Sequence, residues 1–409
     1  MNKRIENYQN LKYGLFIHYG LYSFFEEGEW YWNMNKLSKS DFLEKLGNLK
    51  NLELQVDFDS LIFKAKKWGF KYVVLTTRHH EGFSLYDTKG LSDFDIKSLK
   101  NQTDLVKDFV QACRKYDIKP VLYHTTLDWY DDRFEKDFNA YLDYLYKSVE
   151  ILTKNYGEIA GFWFDGNWSK PDADWNETKL YQMIRQNQPN AVIVNNSGLN
   201  AKGAAGNEFL EVVTYEQGAL LEQLVEVQEN LAREVCETIN DHWGVAKLDY
   251  NFKSIQQVIT HLVNVVANKA NYLLNIGLDK NGIVGNVESQ ILNMVGDWID
   301  KFGKKLFENF NLVDRVGENY LIETRDHYTI FLANIKSGGH VDEIAYGSKE
   351  LKSIVFNNVT KKIKTMQGLD DKEIYEFDQK SQKLSFIPKS FKYGNNTIYK
   401  VIICEKEGD

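Results

Sequence analysis

Short apolar runs that stop at a polar side chain recur along this chain, and stretches with helical spacing separate them. The first run, Tyr13 to Ile17, ends in His18, and an irregular loop follows from Ser23 to Trp32. Ser38 to Leu49 and Asp59 to Trp68 place apolar residues at three- and four-residue spacing. Asp59 or Ser60 is positioned to cap the second of these, and Gly69 to stop it. Tyr72 to Thr76 leads into His79 and His80. A helix over Asp104 to Tyr116 precedes Lys119 to Tyr123, which ends in His124. A helix over Asp137 to Asn155, stopped by Gly157, precedes Ile159 to Phe164, which delivers Asp165. Trp175 to Asn187 reads as a helix and Ala191 to Val194 as a strand reaching Asn195 and Asn196. Glu211 to Tyr215 and Glu234 to Thr238 are weaker runs within an irregular stretch. The amphipathic helix Ser254 to Asn268 and the strand Tyr272 to Ile276 complete the series.

Strands that alternate with helices predict a parallel sheet, and eight strands are the number that closes a (β/α)8-like barrel. Active sites of such barrels lie at the carboxyl ends of the strands. His18, His79 or His80, His124, Asp165, Asn195, Glu216 and Asn275 are therefore expected to converge. After a helix over Asn286 to Phe307 the texture changes. Tyr320 to Ile335, Ile354 to Ile363, Glu373 to Phe377, Lys383 to Ile387 and Thr397 to Glu405 are short and often alternating, which predicts a small antiparallel C-terminal β-sandwich. The expected domains are a catalytic barrel over residues 1–308 and a sandwich over 309–409.

Composition narrows the field. A net charge of -8 over 409 residues, with no long basic run, argues against a nucleic-acid or anionic-membrane partner. No apolar run approaches the ~20 residues of a membrane span, and the opening residues have no apolar core of a secretory signal. Cys113, Cys236 and Cys404 are far apart and odd in number, so a reducing, cytoplasmic setting is expected rather than a disulfide framework.

Asp165 ends an aromatic run, Gly161-Phe162-Trp163-Phe164, and a buried carboxylate is normally paired, hydrogen-bonded or catalytic. Taken alone, Asp165-Gly166 also fits the turn of a hairpin. With 9 Trp, 24 Tyr and 24 Phe, many at strand ends, the pocket suits a sugar, whose apolar face stacks on rings. Glycoside cleavage further needs two carboxyl groups, one ionised and one protonated.

At the level of motifs, the sequence resembles the α-L-fucosidases of glycoside hydrolase family 29. The resemblance rests on Phe16-Ile17-His18-Tyr19-Gly20, Glu29-Trp30-Tyr31, Ala65 to Tyr72, His79-His80-Glu81-Gly82-Phe83, Tyr86-Asp87-Thr88, Trp163-Phe164-Asp165-Gly166 and Asn271 to Gly277. It spans about Tyr8 to Asp300. It implies a retaining exo-hydrolase of terminal α-L-fucose on oligosaccharides or glycoconjugates, working without a cofactor or metal. Asp165 matches the family's nucleophile. His18, Glu29, Trp30, His79 and His80 match residues that hold the sugar, with Trp163 beside the nucleophile. His124 matches a position occupied by His in some members, and Trp129 is expected at the rim. For the acid/base, Glu216 in Thr214-Tyr215-Glu216-Gln217 resembles one branch's stretch, which leans toward α1,3/1,4 linkages. Glu237 in Cys236-Glu237-Thr238 resembles an alternative position, with Glu208 and Glu211 as outsiders. Many members carry Asn-Asp-Arg after the fifth strand; this chain has Asn195-Asn196-Ser197, so a contact is made differently.

Two other readings compete. Four of the eight histidines fall at strand ends, which would suit a metal-dependent hydrolase. Against it, His79 and His80 are adjacent and expected to point to opposite sides. A non-catalytic fucose-binding protein is the alternative from outside enzymes. Turnover against mere binding separates it from a glycosidase.

Overall fold

The computed structural model describes residues 2–204, 206–218, 230–333, 352–389, 396 and 398–407. The chain divides into two compact units, Met1–Ile255 with Lys269–Gly296, and Gln256–Asn268 with Asp297–Asp409.

Eight parallel strands close into a barrel in chain order: β1 (Tyr13–His18), β2 (Tyr72–Arg78), β3 (Lys119–Thr125), β4 (Gly161–Asp165), β5 (Val192–Asn196), β6 (Val212–Glu216), β7 (Ala232–Thr238) and β8 (Asn271–Gly277). β8 returns to β1, with Leu15 opposite Leu274. Closure turns one face of every strand into the interior, and successive side chains alternate between that face and the outside. Phe16, Val74, Val121, Trp163, Val192, Val194, Val212, Ala232, Cys236 and Leu273 form one buried interior cluster. Counting on by two from these positions brings His18, Asp165, Asn196 and Glu216 inward at the carboxyl end. Asp165-Gly166 is thus no hairpin: β4 runs parallel to both β3 and β5. Gly166 turns the chain at φ 120°, where a Cβ would come within 2.6 Å of the Leu127 nitrogen.

Helix starts follow local capping. Asp104 and Asp137 accept the backbone N–H of Lys107 and Ala140 at 2.9 and 3.1 Å. The expected cap at Asp59 or Ser60 is instead Asp57, which accepts the Ser60 N–H at 3.0 Å. The expected loop of residues 23–32 holds two tight turns, a 3-10 turn at Leu21–Phe24 and a short helix at Tyr31–Met34. The helix expected as far as Phe307 ends at Trp298 and continues through a wide turn, Ile299–Gly303, and a 3-10 turn, Lys304–Phe307.

The second unit carries two antiparallel sheets on one apolar core that includes Leu321, Ile330, Phe356, Leu384, Phe386 and Ile402. Its strands are β9 (Asn311–Val316), β10 (Asn319–Glu323), β11 (His327–Leu332), β12 (Ile354–Phe356), β13 (Ile363–Gly368), β14 (Phe377–Lys380), β15 (Lys383–Phe386) and β16 (Lys400–Lys406). The single run expected over Tyr320 to Ile335 is a hairpin, because Thr324 to Asp326 reverse the chain and the Thr324 N–H donates to His327 O at 2.9 Å. Residues 334 and 335 of that run, and Thr397 of the last one, lie outside the described residues.

The amino end of the barrel is filled from below. In the helix Lys3–Gln9, Ile5 and Tyr8 join the interior cluster. Asn271 donates to the Tyr8 carbonyl at 2.9 Å and accepts from Gln9 at 3.0 Å. Inside sits a buried carboxylate, Glu234, which accepts from the Tyr8 and Tyr72 hydroxyls at 2.6 Å each and from Trp163 Nε1 at 2.9 Å. Burial raises its pKa, and these three bonds oppose the shift. Removing the carboxyl leaves three buried donors without an acceptor. Glu234→Leu is expected to destabilise the protein by about 3 kcal/mol or more, against about 1 kcal/mol for Tyr72→Phe, in urea unfolding. Equal effects of the two variants would contradict this role for Glu234.

Candidate active site

The carboxyl ends of the strands open into a cavity of about 740 Å³. His18, Glu29, Trp30, His79, His80, Trp163, Asp165 and Glu216 all line it, joined by Tyr123, Trp168, Asn196 and Trp243.

Asp165 is 13 % exposed and contacted by four polar groups. Tyr123 donates its hydroxyl to Oδ2 at 3.1 Å, and Trp168 Nε1–H donates to Oδ1 at 2.8 Å. Asn196 Nδ2 donates to Oδ1 at 3.3 Å, and His80 Nε2 lies 3.4 Å from Oδ2. Burial pushes the pKa of Asp165 up, but His80, Trp168 and Tyr123 more than offset this and hold it below the ordinary carboxylate value.

The same Asn196 amide donates to Glu216 Oε2 at 2.8 Å. Its orientation is fixed from behind, because Asn196 Oδ1 accepts from Gly198 N and Thr214 Oγ1, both at 3.1 Å. One NH2 group therefore bridges the two carboxyl groups, and the bridged oxygens are no more than about 6 Å apart. Burial first, and then the charge of Asp165, raise the pKa of Glu216 to about 6; Asn196 and Lys202 act the other way. Two neighbouring carboxyl groups are thus pushed apart in pKa by their surroundings.

The histidines are held with defined hydrogen positions. Asn275 Nδ2 donates to the Trp243 carbonyl at 2.7 Å, so its Oδ1 faces His18 Nδ1 at 2.6 Å. His18 Nδ1 must carry the proton, and Nε2 is left as an acceptor. Burial lowers the pKa of His18 to about 3, which keeps the ring neutral. Thr125 Oγ1 donates to Leu127 O at 2.6 Å and so accepts from His80 Nδ1 at 2.7 Å. His79 stacks on Tyr123 at 5.7 Å, and burial, with His80 and His18 nearby, lowers its pKa. His79 and His80 do not diverge as expected. They lie beyond β2, where pleat alternation no longer applies, and their rings are 4.2 Å apart. Glu29 is buried, which raises its pKa, and it accepts the Gly244 N–H at 2.7 Å. Among the described residues no group of three or more His, Cys, Asp or Glu is arranged to hold a metal ion.

Some expected residues lie elsewhere. His124 occupies the opposite pleat from Tyr123. It is buried outside the barrel interior, with Nδ1 at 2.8 Å from Thr125 O and Nε2 at 3.2 Å from the Tyr86 hydroxyl. Asn195 likewise faces outward, donating to Tyr181 Oη at 2.8 Å. Trp129 stands behind the lining, edge-on to Trp30 at 5.2 Å. Glu237 follows the inward Cys236 and so points away from the cavity, where Tyr272 donates its hydroxyl to Oε1. Glu211 is tied to Arg4 Nε and Arg185 Nη2, each at 2.8 Å, before β6 begins. Glu208 is exposed and outside the cavity lining. At the position where an Arg was expected, Ser197 lines the cavity and donates to Ala201 O at 2.5 Å. Tyr123, Asn196 and Trp243 carried no site role in the sequence reading, whereas Trp168 was among the strand-end aromatics expected to suit a sugar. For Tyr123 and Asn196, counting by two along an established strand would have found them.

The protein-family model described as Alpha-L-fucosidase matches residues 1–304. Tissue alpha-L-fucosidase of Bos taurus is 26 % identical over 327 residues, covering 73 % of this chain and 68 % of that protein. Alpha-L-fucosidase of Dictyostelium discoideum is 26 % identical, covering 71 % of this chain and 69 % of its own. Among solved structures, alpha-L-fucosidase isoenzyme 1 of Paenibacillus thiaminolyticus superposes with a TM-score of 0.80 at 26 % identity, over 99 % of each chain. The chain belongs to the α-L-fucosidase family and is a glycoside hydrolase.

Proposed function

We propose that this enzyme removes terminal α-L-fucose from fucosylated glycans with retention of configuration, Asp165 acting as nucleophile and Glu216 as acid/base. The observation that carries this is the shared Asn196 amide. It brings a carboxylate held ionised and a carboxyl held toward its protonated form within about 6 Å of each other. Retaining glycosidases place their carboxyl groups about 5–5.5 Å apart, too close for a water between them. In the first step Glu216 gives its proton to the glycosidic oxygen as Asp165 attacks the anomeric carbon. The C–O bond to the aglycone breaks, and a fucosyl ester forms on Asp165. In the second step Glu216 takes a proton from water, whose oxygen attacks the same carbon and releases the Asp165 carboxylate.

His18 Nε2, as an acceptor, and the Glu29 carboxyl supply two different kinds of partner for sugar hydroxyls at the buried end of the cavity. His79, His80 and Trp30 complete that wall. The likeness of Thr214-Tyr215-Glu216-Gln217 to one branch of the family supports a preference for α1,3/1,4 linkages. Three buried, unpaired cysteines support a reducing, cytoplasmic setting.

Asp165→Asn is expected to lower kcat on the order of a thousandfold or more with the fold retained. A 2-fluorofucosyl label should be found on Asp165; its appearance on another carboxylate overturns the assignment. The fucose first released should be the α-anomer by NMR, whereas a β-anomer appearing first would make the enzyme inverting.

The pH profile tests Glu216. Activity needs Asp165 ionised, which its lowered pKa secures at neutral pH, and Glu216 protonated, which is lost as pH rises through about 6. The kcat/KM should therefore fall above that pH by about tenfold per unit. Glu216→Gln should lose this alkaline limb, spare activated aryl fucosides relative to oligosaccharides, and be rescued by azide. If Glu237→Gln shows these effects and Glu216→Gln does not, the acid/base is Glu237.

A further inference from the structure

Behind the wall of the cavity lies a carboxyl group that the proposed reaction does not use. Glu81 stands three residues beyond β2 and is buried at 1 % exposure. Its Oε2 lies 3.8 Å from His79 Nδ1. Its Oε1 lies toward the Tyr22 ring, and Gly20 makes room for both: a Cβ at position 20 would run into Glu81 Oε1 and Tyr22 Cε1. Both carboxyl oxygens and His79 Nδ1 are buried, and none of the three has a hydrogen-bond partner. Buried polar atoms are rarely left so, and three of them side by side belong to one another.

The His79 ring has no other way to turn. Tyr123 stacks on it at 5.7 Å, Tyr22 meets it edge-on at 5.5 Å, and His80 and His18 stand at 4.2 and 5.4 Å. A small tilt of the Glu81 carboxyl, which no hydrogen bond restrains, closes the 3.8 Å gap.

The surroundings decide where the protons sit. Burial first, and then the charge of Asp128, raise the pKa of Glu81 to about 8; the Arg78 guanidinium and the backbone N–H groups of Glu81 and Leu21, which lie near without bonding geometry, act the other way. At neutral pH Glu81 is mostly a neutral acid with one O–H to place. His79 is neutral as well, because burial, with His80 and His18 nearby, lowers its pKa. A neutral imidazole has one N–H and one lone pair. Asp128 is committed to the N–H groups of Tyr130 and Asp131, both at 2.9 Å, so the most basic atom left for the Glu81 O–H is His79 Nδ1. The ring proton then sits on Nε2, the nitrogen left for the cavity that His79 lines. The reverse assignment, an Nδ1–H donated to Glu81, gives the carboxyl a second hydrogen and strips its own of this acceptor.

We propose that Glu81 is a positioning residue: as a neutral acid donating to His79 Nδ1, it fixes His79 Nε2–H as a hydrogen-bond donor for a substrate hydroxyl. This rests on the fucosidase reading, in which His79 holds the sugar, and extends it behind the cavity wall. His18 has the opposite arrangement, with Nδ1–H given to Asn275 and Nε2 left as an acceptor. Two neighbouring rings thus offer the cavity one donor and one acceptor. They take the lone pair of one hydroxyl and the hydrogen of another, so a sugar is accepted in one orientation. Moving the His79 proton to Nδ1 would put two acceptors side by side and lose that discrimination.

The test reads the His79 tautomer directly. Long-range proton–nitrogen NMR spectra of the full-length enzyme, labelled in histidine, distinguish Nδ1–H from Nε2–H rings, and the His79 signals are identified by their absence from His79→Asn. At about pH 6 the unmutated enzyme and Glu81→Gln should both carry the His79 proton on Nε2. As pH rises through about 8 the unmutated enzyme should shift toward the Nδ1–H ring, because an ionised Glu81 then accepts, whereas Glu81→Gln should not shift. On an aryl fucoside, Glu81→Met should lower kcat/KM about tenfold, and Glu81→Gln, which keeps an N–H for Nδ1, should restore most of it. An Nδ1–H ring at about pH 6 in the unmutated enzyme overturns the proposal. Equal kcat/KM in Glu81→Met and Glu81→Gln also overturns it, since a side chain that only fills space would not distinguish them. If Glu81→Met does not fold, the tautomers of the other two proteins decide. The spectra need no substrate, so an enzyme that shows the Nε2–H ring yet hydrolyses no fucoside refutes the fucosidase reading and leaves the Glu81–His79 pair standing.

Discussion

An ionised carboxylate among aromatic rings persists only where several donors meet its charge, and Asp165 imposes that condition on the whole mouth of the barrel. Tyr123 from β3, Trp168 just beyond β4, Asn196 from β5 and His80 from the turn after β2 all approach it. Each is itself held from behind. His80 is set by Thr125, whose hydroxyl is committed to Leu127, and Asn196 is set by Gly198 and Thr214. Gly166 makes room, since any larger residue would collide with the 126–127 backbone and side chains. Losing one of these donors leaves a buried charge partly unmet, which is why the site is a rigid network rather than a loose group of side chains.

Asn196 links the chemistry of the two carboxyl groups. An amide carries two hydrogens on one nitrogen, and here they are divided between Asp165 and Glu216. Asp165 has further donors and stays ionised, while Glu216 has this one amide and the field of Asp165, so its proton is retained to about pH 6. The same side-chain chemistry thus gives a nucleophile and an acid through environment alone.

Glu234 shows what that environment means by contrast. It lies in the same barrel interior with three donors around it, yet its pKa is raised because burial outweighs those three bonds. At the amino end a carboxyl group ties the strands to the N-terminal helix, and at the carboxyl end one faces a substrate pocket. The pleat turns both inward, Glu234 from β7 and Asp165 from β4.

The barrel was legible in the sequence because buried parallel strands are short apolar runs and the helices between them keep a 3.6-residue period. The positions of Asp165, Glu216, His18, Glu29 and Trp30 at the cavity were legible too, since each sits in a short motif at or just beyond the end of an apolar run. Facing was not. Glu216 and Glu237 each belong to a plausible strand, but one residue of register sends a side chain to the opposite side of a sheet, and only pairing around the closed barrel sets that register. For the same reason His124 and Asn195 turned out to face away from the pocket, while Tyr123 and Asn196 face into it. His79 and His80 both line the cavity, and only the expectation that they point to opposite sides failed, because their chain had already left the pleat. Composition and motif spacing determined the fold and the kind of chemistry. Which of two neighbouring side chains meets the substrate was decided by tertiary closure, because facing is a property of strand pairing and no residue carries it alone.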